Sequence, residues 1–203
     1  MKTIVLLSGG LDSALVLALC VKEKWECHAL AFDYCQPHAI PELAAAEAIA
    51  DHYHVPLDIV DTWRAFDFPK VDDVVFAGRN MVFAALACSI AQARGHEAIA
   101  VGCNASDWMR FPDCRPPFWH NMRLAAEAYG IAIKTPLLHF SKIEVVEAAR
   151  EAGVPIDMTW SCYDPVQKVE SAIKEIAYTP CGKCLACEIR NAALAYRNDE
   201  VTA

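Results

Sequence analysis

The chain has 203 residues, 55% of them hydrophobic, and a net charge of −8. That length buries one core with room for a small appendage, and the composition excludes a disordered polymer. Lys and Arg number 7 against 13 Asp and Glu up to residue 100, and 11 against 13 beyond it, which argues against a basic platform for nucleic acid. The apolar runs are too short or too interrupted to cross a bilayer, and the N-terminus lacks the pattern of a secretory signal. A small substrate in the cytoplasm is the expectation, with no nucleic-acid and no membrane partner.

In chain order, "TIVLLS" is a short, wholly apolar run, as expected of a strand buried on both faces. A helical pattern follows through Leu15, Leu19 and Val21. "HALAFDY" reads as the second strand, "PELAAAEAIADHYHV" as a helix opened by Pro41, and "LDIVD" as the third strand. The apolar helix "NMVFAALACSIAQARG" stops at Gly95, and the strand "AIAVGCN" follows. "FWHNMRLAAEAYG" is a further helix and "IAIKTPLL" a further strand. Ser141 and Glu144 have the capping-box spacing that opens a helix ending at Gly153.

This alternation predicts an α/β fold, a doubly wound and mostly parallel sheet with helices on both faces. Ligands of such sheets bind beyond the carboxyl ends of the strands. Residues 1–153 form this domain. Residues 154–203 show no clear strand and read as a small C-terminal helical module packed on it.

The loop after the first strand is "SGGLDS". Gly9 and Gly10 lack Cβ atoms, so the backbone can approach a ligand closely, and the next helix directs free N–H groups at the same point. Ser8 and Ser13 add hydroxyls. Asp12 would repel a bare phosphate, which makes sense if it orients a loop amide or helps to hold Mg²⁺. A plain capped turn is the alternative.

Ten cysteines in a cytosolic chain point to metal rather than disulfides where they cluster. Cys162, Cys181, Cys184 and Cys187 suit a closed, structural Zn²⁺ site, with Gly182 shaping the knuckle and Lys183 and Arg190 near enough to offset charge. An iron–sulfur cluster or a redox pair is the alternative, and Cys162 is the least certain ligand. The stretch "GCNASDWMRFPDCRPPFW" gathers Asp107, Asp113, Arg110, Arg115 and two tryptophans. Aromatics there suit stacking on a flat heterocycle, carboxylates can accept from ring N–H groups, and arginine can pair with a carboxylate. A polar surface loop with packed aromatics is the plain reading.

"SGGLDS" resembles the pyrophosphate loop of the PP-loop ATPases, which activate a carbonyl or carboxyl oxygen with ATP, usually by adenylation. Together with "FDYCQPH", "GRN", "SDWMRFPDCRPPF", "TPLLHFSKIEVVEAAREAGVP", "TWSCY" and "PCGKCLAC", it falls in the order seen in the 7-cyano-7-deazaguanine synthase (QueC) family. The resemblance covers nearly the whole chain. It implies an ATP-dependent ligase that converts 7-carboxy-7-deazaguanine and ammonia, through an amide, to the nitrile preQ0 of queuosine biosynthesis.

Carried over by position, Ser8, Gly9, Gly10, Leu11, Asp12 and Ser13 would cradle ATP with its Mg²⁺. The four C-terminal cysteines would hold Zn²⁺. Asp33, Tyr34, Gln36 and His38 match a D-Y-x-Q-x-H stretch, and Arg79 and Asn80 an R-N pair. The resemblance implies catalytic work for Asp12, Ser13, Asp33, Arg79 and Asn80. It implies substrate binding for Tyr34, Gln36, His38, Asp107, Asp113 and Arg115, and it suggests a homodimer. No covalent nucleophile is expected.

Four departures stand out. Cys35 replaces the family's usual glycine and Ala77 its usual proline, the segment between Asp61 and Gly78 is short, and the Cys162–Cys181 spacing is long. They leave room for a paralogue that stops at the amide or takes a related 7-deazapurine. A tRNA-thiolating PP-loop enzyme and a nucleotide sensor without activity are the other readings.

Overall fold

The computed structural model describes residues 1–62, 76–170 and 175–196. Five strands make one wholly parallel sheet in the order β3-β2-β1-β4-β5. They are β1 (Lys2–Leu6), β2 (Glu26–Asp33), β3 (Leu57–Asp61), β4 (Ala98–Ala100) and β5 (Ala132–Lys134). The helices between them are α1 (Leu11–Lys22), α2 (Ala39–His52), α3 (Arg79–Ala93) and α4 (Pro116–Glu127), with α5 (Lys142–Glu151) after β5. Every strand and helix read from the first 153 residues is present, with ends shifted by a few residues. The shortened segment before Gly78 lies mostly outside the described residues.

The strand order reverses between β1 and β4, so a crevice opens at their carboxyl ends, where such sheets take ligands. The alternation of side chains along the strands fills two cores. Val5, Ala29 and Ala31 face one core, which also holds Leu15, Val16 and Ile49. Ile4, Leu30 and Phe32 face the other, with Ala84, Ala87 and Trp119. Burying each of the larger aliphatic chains contributes about 1.5–3 kcal/mol before the entropy of ordering is counted.

Two helix starts follow from local chemistry. Pro41 falls in the first turn of α2 rather than at its opening, where its missing N–H costs nothing. The α5 capping box is formed as read: Ser141 Oγ accepts from Glu144 N at 3.3 Å, and Glu144 Oε2 accepts from Ser141 N at 2.7 Å.

The C-terminal segment differs from expectation in one respect. Besides helix α6 (Leu185–Ala195), it carries an antiparallel pair, β6 (Val166–Glu170) and β7 (Glu175–Thr179). Hydrogen bonds tie the segment to the sheet domain at two places, and Arg190 ties α6 to the start of the segment itself. Trp160 N donates to Gly9 O at 2.9 Å. Arg190 donates to Ile156 O at 2.8 Å and Thr159 Oγ1 at 2.7 Å. Arg150 donates to Leu194 O at 2.7 Å, closing the end of α6.

Candidate active site

The crevice is a cleft of about 240 Å³ whose walls come from the loops after β1, β2 and β4, the starts of α3 and α5, and the C-terminal segment. Its floor is the glycine loop. Gly9 has φ +79°, and a Cβ there would lie 2.4 Å from Glu42 O and 2.8 Å from Ala46 N, so the loop packs directly on α2. Gly10 precedes α1, and no side chain caps the helix, which leaves its first N–H groups free to meet an anion. Ser13 Oγ donates to Gly10 O at 3.0 Å and lies 3.2 Å from Ser8 N, so the hydroxyl holds the turn in shape. Gly102, just beyond β4, touches the same helix start: a Cβ there would lie 2.8 Å from Ser13 N.

Asp12 is not left to repel an anion. Lys142 Nζ, at the start of α5, bonds its two carboxylate oxygens at 2.7 and 2.9 Å. The Lys142 backbone N–H also donates to Ser106 Oγ at 2.9 Å, which fixes α5 against the loop after β4. In that loop Asn104 Oδ1 accepts from Ser106 N, and Asn104 Nδ2 donates to Asp107 Oδ2 at 3.0 Å. Burial, and then the nearby Asp12 carboxylate, push the Asp107 carboxyl above its usual range, while Lys142 pulls it back.

Ser8, Gly10, Leu11, Asp12, Ser13, Tyr34, Arg79, Asn80 and Asp107 line the cleft. Gly9 lies beneath it. Five other residues expected there have different places. Asp33 Oδ1 accepts from Cys35 N at 2.9 Å and shapes the turn after β2. Gln36 is buried, accepts from Tyr34 N at 3.0 Å and donates to Glu42 Oε2 at 3.1 Å. His38 is also buried, with Nε2 3.0 Å from Glu42 Oε2. Asp113 Oδ2 accepts from Asn80 N at 2.9 Å, so its charge sits at the N-terminus of α3, where an anion is favoured. Arg115 Nε donates to Trp108 O at 2.7 Å. Gln36, His38 and Asp113 thus support residues that do face the cleft.

Sequence reasoning missed Lys142, Glu42, Phe83, Asn104 and Tyr163, all of which line the cleft. The capping box had placed Lys142 at a helix start following a strand, a signal that was available. Tyr163 was hidden beside Cys162. Trp160, Ser161 and Tyr163, with Ala186 and Ile189 of α6, make the C-terminal segment one wall of the cleft.

The four C-terminal cysteines converge. The sulfurs of Cys162, Cys181, Cys184 and Cys187 all lie within 4.8 Å of one another. Cys181 N donates to Cys162 Sγ and Cys184 N to Cys181 Sγ, each at 3.2 Å. Burial works against the Cys184 thiolate, but the backbone of Tyr163 and Cys187 and the adjoining thiols bring it down to about 6. Sulfurs around a tetrahedral ion stand about 3.8 Å apart, so the set fits a four-thiolate metal site.

The family model for queuosine biosynthesis protein QueC matches residues 2–70 and 66–198. The chain belongs to the QueC family. It is 35% identical over 217 residues to a 7-cyano-7-deazaguanine synthase of Synechococcus sp. (strain CC9311), covering 94% of this chain and 91% of the relative. It is 36% identical to the synthase of Synechococcus sp. (strain RCC307), covering 95% and 93%. Solved structures confirm the fold. NMN synthetase from Francisella tularensis superposes with a TM-score of 0.57 at 19% identity, over 77% of this chain and 63% of that one. The U34-tRNA thiolase NcsA from Methanococcus maripaludis gives 0.56 at 13% identity, over 96% and 63%. Among the described residues, no helix is long and apolar enough to cross a membrane.

Proposed function

We propose that the chain is a 7-cyano-7-deazaguanine synthase, an ATP-dependent ligase of queuosine biosynthesis in the cytoplasm. It converts 7-carboxy-7-deazaguanine and ammonia to 7-cyano-7-deazaguanine. The observation that carries this is a relationship of about 35% to synthases over nearly the full length of both chains, centred on an uncapped glycine loop at the sheet's switch point. The likeness to a tRNA thiolase stands at 13% identity, which supports the shared fold and not a thiolase reading.

In this reading the loop from Ser8 to Ser13 and the first N–H groups of α1 bind the ATP phosphates, with Mg²⁺ balancing their charge. The substrate carboxylate attacks the α-phosphorus, pyrophosphate leaves, and an acyl-adenylate forms. Ammonia displaces AMP to give the amide. A second ATP activates the amide oxygen, and loss of that oxygen as AMP, with two protons from the nitrogen, leaves the nitrile. The protein contributes position and charge rather than a nucleophile. Asp107 and Asn104 offer an acceptor and a donor to the heterocycle. Cys162, Cys181, Cys184 and Cys187 would hold Zn²⁺, which would fix the C-terminal wall in place.

The test is incubation of the purified protein with ATP, Mg²⁺, ammonium and 7-carboxy-7-deazaguanine, with products followed by mass. Nitrile with release of AMP is expected. Release of amide alone would convert the reading to an amide-forming paralogue, and no acid-dependent AMP release would overturn it.

A further inference from the structure

Among the described residues, the cleft holds one half-buried cation that no carboxylate pairs. Of the three that line it, Lys142 is paired with Asp12. Arg110 lies over the Phe111 ring, 5.4 Å from its centroid. Arg79 is held by phenols. Its Nη1 donates to Tyr34 OH at 3.0 Å, and it also interacts with the Tyr163 phenol from the C-terminal wall.

Among the described residues Arg79 forms no ion pair. The carboxylate with most influence on it, Glu42, already has His38 Nε2 at 3.0 Å and Gln36 Nε2 at 3.1 Å. Burial pushes the Tyr34 phenol up to about 12 and raises that of Tyr163, so both are neutral donors and acceptors at neutral pH. A partly desolvated guanidinium without a counter-ion is costly unless a ligand supplies one.

Beside this cation stands an aromatic wall. Phe32 and Phe83 stack with centroids 4.3 Å apart and planes at 4°, and Tyr34 leans on Phe83 at 5.4 Å. All three rings line the cleft. A flat ring bearing one anionic substituent is complementary to that pair of features.

We propose that Arg79, steadied by Tyr34 and Tyr163, is the counter-ion of the substrate's carboxylate, while the Phe32, Tyr34 and Phe83 wall receives its ring. This rests on the synthase reading above and replaces Arg115 as the residue facing the acid. The guanidinium holds one carboxylate oxygen and lowers the repulsion between the acid and the ATP phosphates. The other oxygen forms the bond to the α-phosphorus as pyrophosphate leaves, and it departs with AMP when ammonia forms the C–N bond. The amide is neutral, so Arg79 contributes far less to the second activation. It therefore separates the two halves of the reaction.

The experiment compares kcat and KM for the acid and for the amide as alternative starting substrates, at saturating ATP, in wild type, Arg79→Gln and Tyr34→Phe. Arg79→Gln is expected to lower kcat/KM for the acid about 100-fold and for the amide less than about 10-fold, with the KM for ATP unchanged. Tyr34→Phe is expected to act on the acid alone, by about 3- to 10-fold, through looser placement of Arg79. Equal losses on acid and amide, or a raised KM for ATP, would overturn the assignment in favour of phosphate binding. If Arg79→Gln does not fold, Tyr34→Phe decides by the same criterion. Wild-type protein that turns over neither substrate removes the synthase reading itself, an outcome distinct from equal losses in the variants.

Discussion

Lys142 bridges the two carboxylate oxygens of Asp12 at 2.7 and 2.9 Å, across 130 residues of chain. The contact joins the first turn of α1 to the first turn of α5 directly over the crevice. It also turns a negatively charged loop into a neutral one before any nucleotide arrives, which is what lets an aspartate sit in an anion site.

Removing the lysine tests this directly. With side chains only 16% and 21% exposed, the pair lies between surface and interior, so Lys142→Met leaves Asp12 charged and largely desolvated. The expected cost is about 1–3 kcal/mol of stability, with a KM for ATP raised at least about 10-fold. The double variant Asp12→Asn/Lys142→Met should recover stability but not ATP affinity. Unchanged ATP affinity in the single variant would show that the pair is structural only.

Asp107 gives the pH dependence. Its folded-state pKa is raised by burial and by Asp12, so between its unfolded and folded values the native protein binds more protons than the unfolded chain. Its contribution to stability falls as pH rises through that window and stays unfavourable at neutral pH. Asp107→Asn should therefore stabilise the ligand-free protein at pH 7. The gain should vanish below the ordinary carboxylate range, near about pH 4. Melting curves across this range check it; a gain independent of pH would remove the titration argument.

Metal removal should act on the cleft as well as on the fold. Cys162 lies between Trp160 and Tyr163, which line the cleft, and Trp160 Nε1 donates to Cys162 O at 2.7 Å. The sheet domain has its own two cores, so stripping the metal with a chelator should leave most far-UV dichroism intact. ATP affinity is expected to fall by at least about 10-fold, because the wall carrying Tyr163 and Ile189 loses its anchor. Chelated, metal-free protein that binds ATP as tightly as before would refute this coupling.

Two backbone positions separate conformational strain from crowding. Cys35 has φ +59°, a left-handed conformation that favours glycine. Cys35→Gly should raise stability by roughly 0.5–1 kcal/mol, relief of strain outweighing the added freedom of the unfolded chain. Gly9→Ala meets both penalties, left-handed φ and a Cβ 2.4 Å from Glu42 O, and should cost roughly 2–4 kcal/mol. Chemical denaturation of the two variants measures the contrast.

The sheet was legible because buried parallel strands leave an unambiguous mark: "TIVLL" and "AIAV" are apolar on both faces. The cysteine cluster was legible because three of its members lie within seven residues of one another. The β6–β7 pair was not, since both of its faces meet solvent: Val166 is 46% exposed and Ile176 50%. No apolar alternation was needed there, and none marks it. The site was half legible. Sequence showed which loops hold carboxylates and guanidiniums but not which way they turn, so Asp113 and Arg115 were expected in the cleft and instead hold α3 and the Trp108 carbonyl. The capping box marked Lys142 as a helix start after a strand, but its pairing with Asp12 needed the fold, because only the sheet order brings α5 beside α1.

The hydrogen bond from Trp160 N to Gly9 O bears on how the protein is made. Residues 8–13 precede Trp160 in the chain, so one wall of their cleft is supplied only after residue 160 has emerged. At about 5–20 residues per second, the loop waits roughly 8–30 s in a growing chain whose sheet can already assemble. A nascent chain that has not reached residue 160 therefore holds the glycine loop without that wall of its cleft.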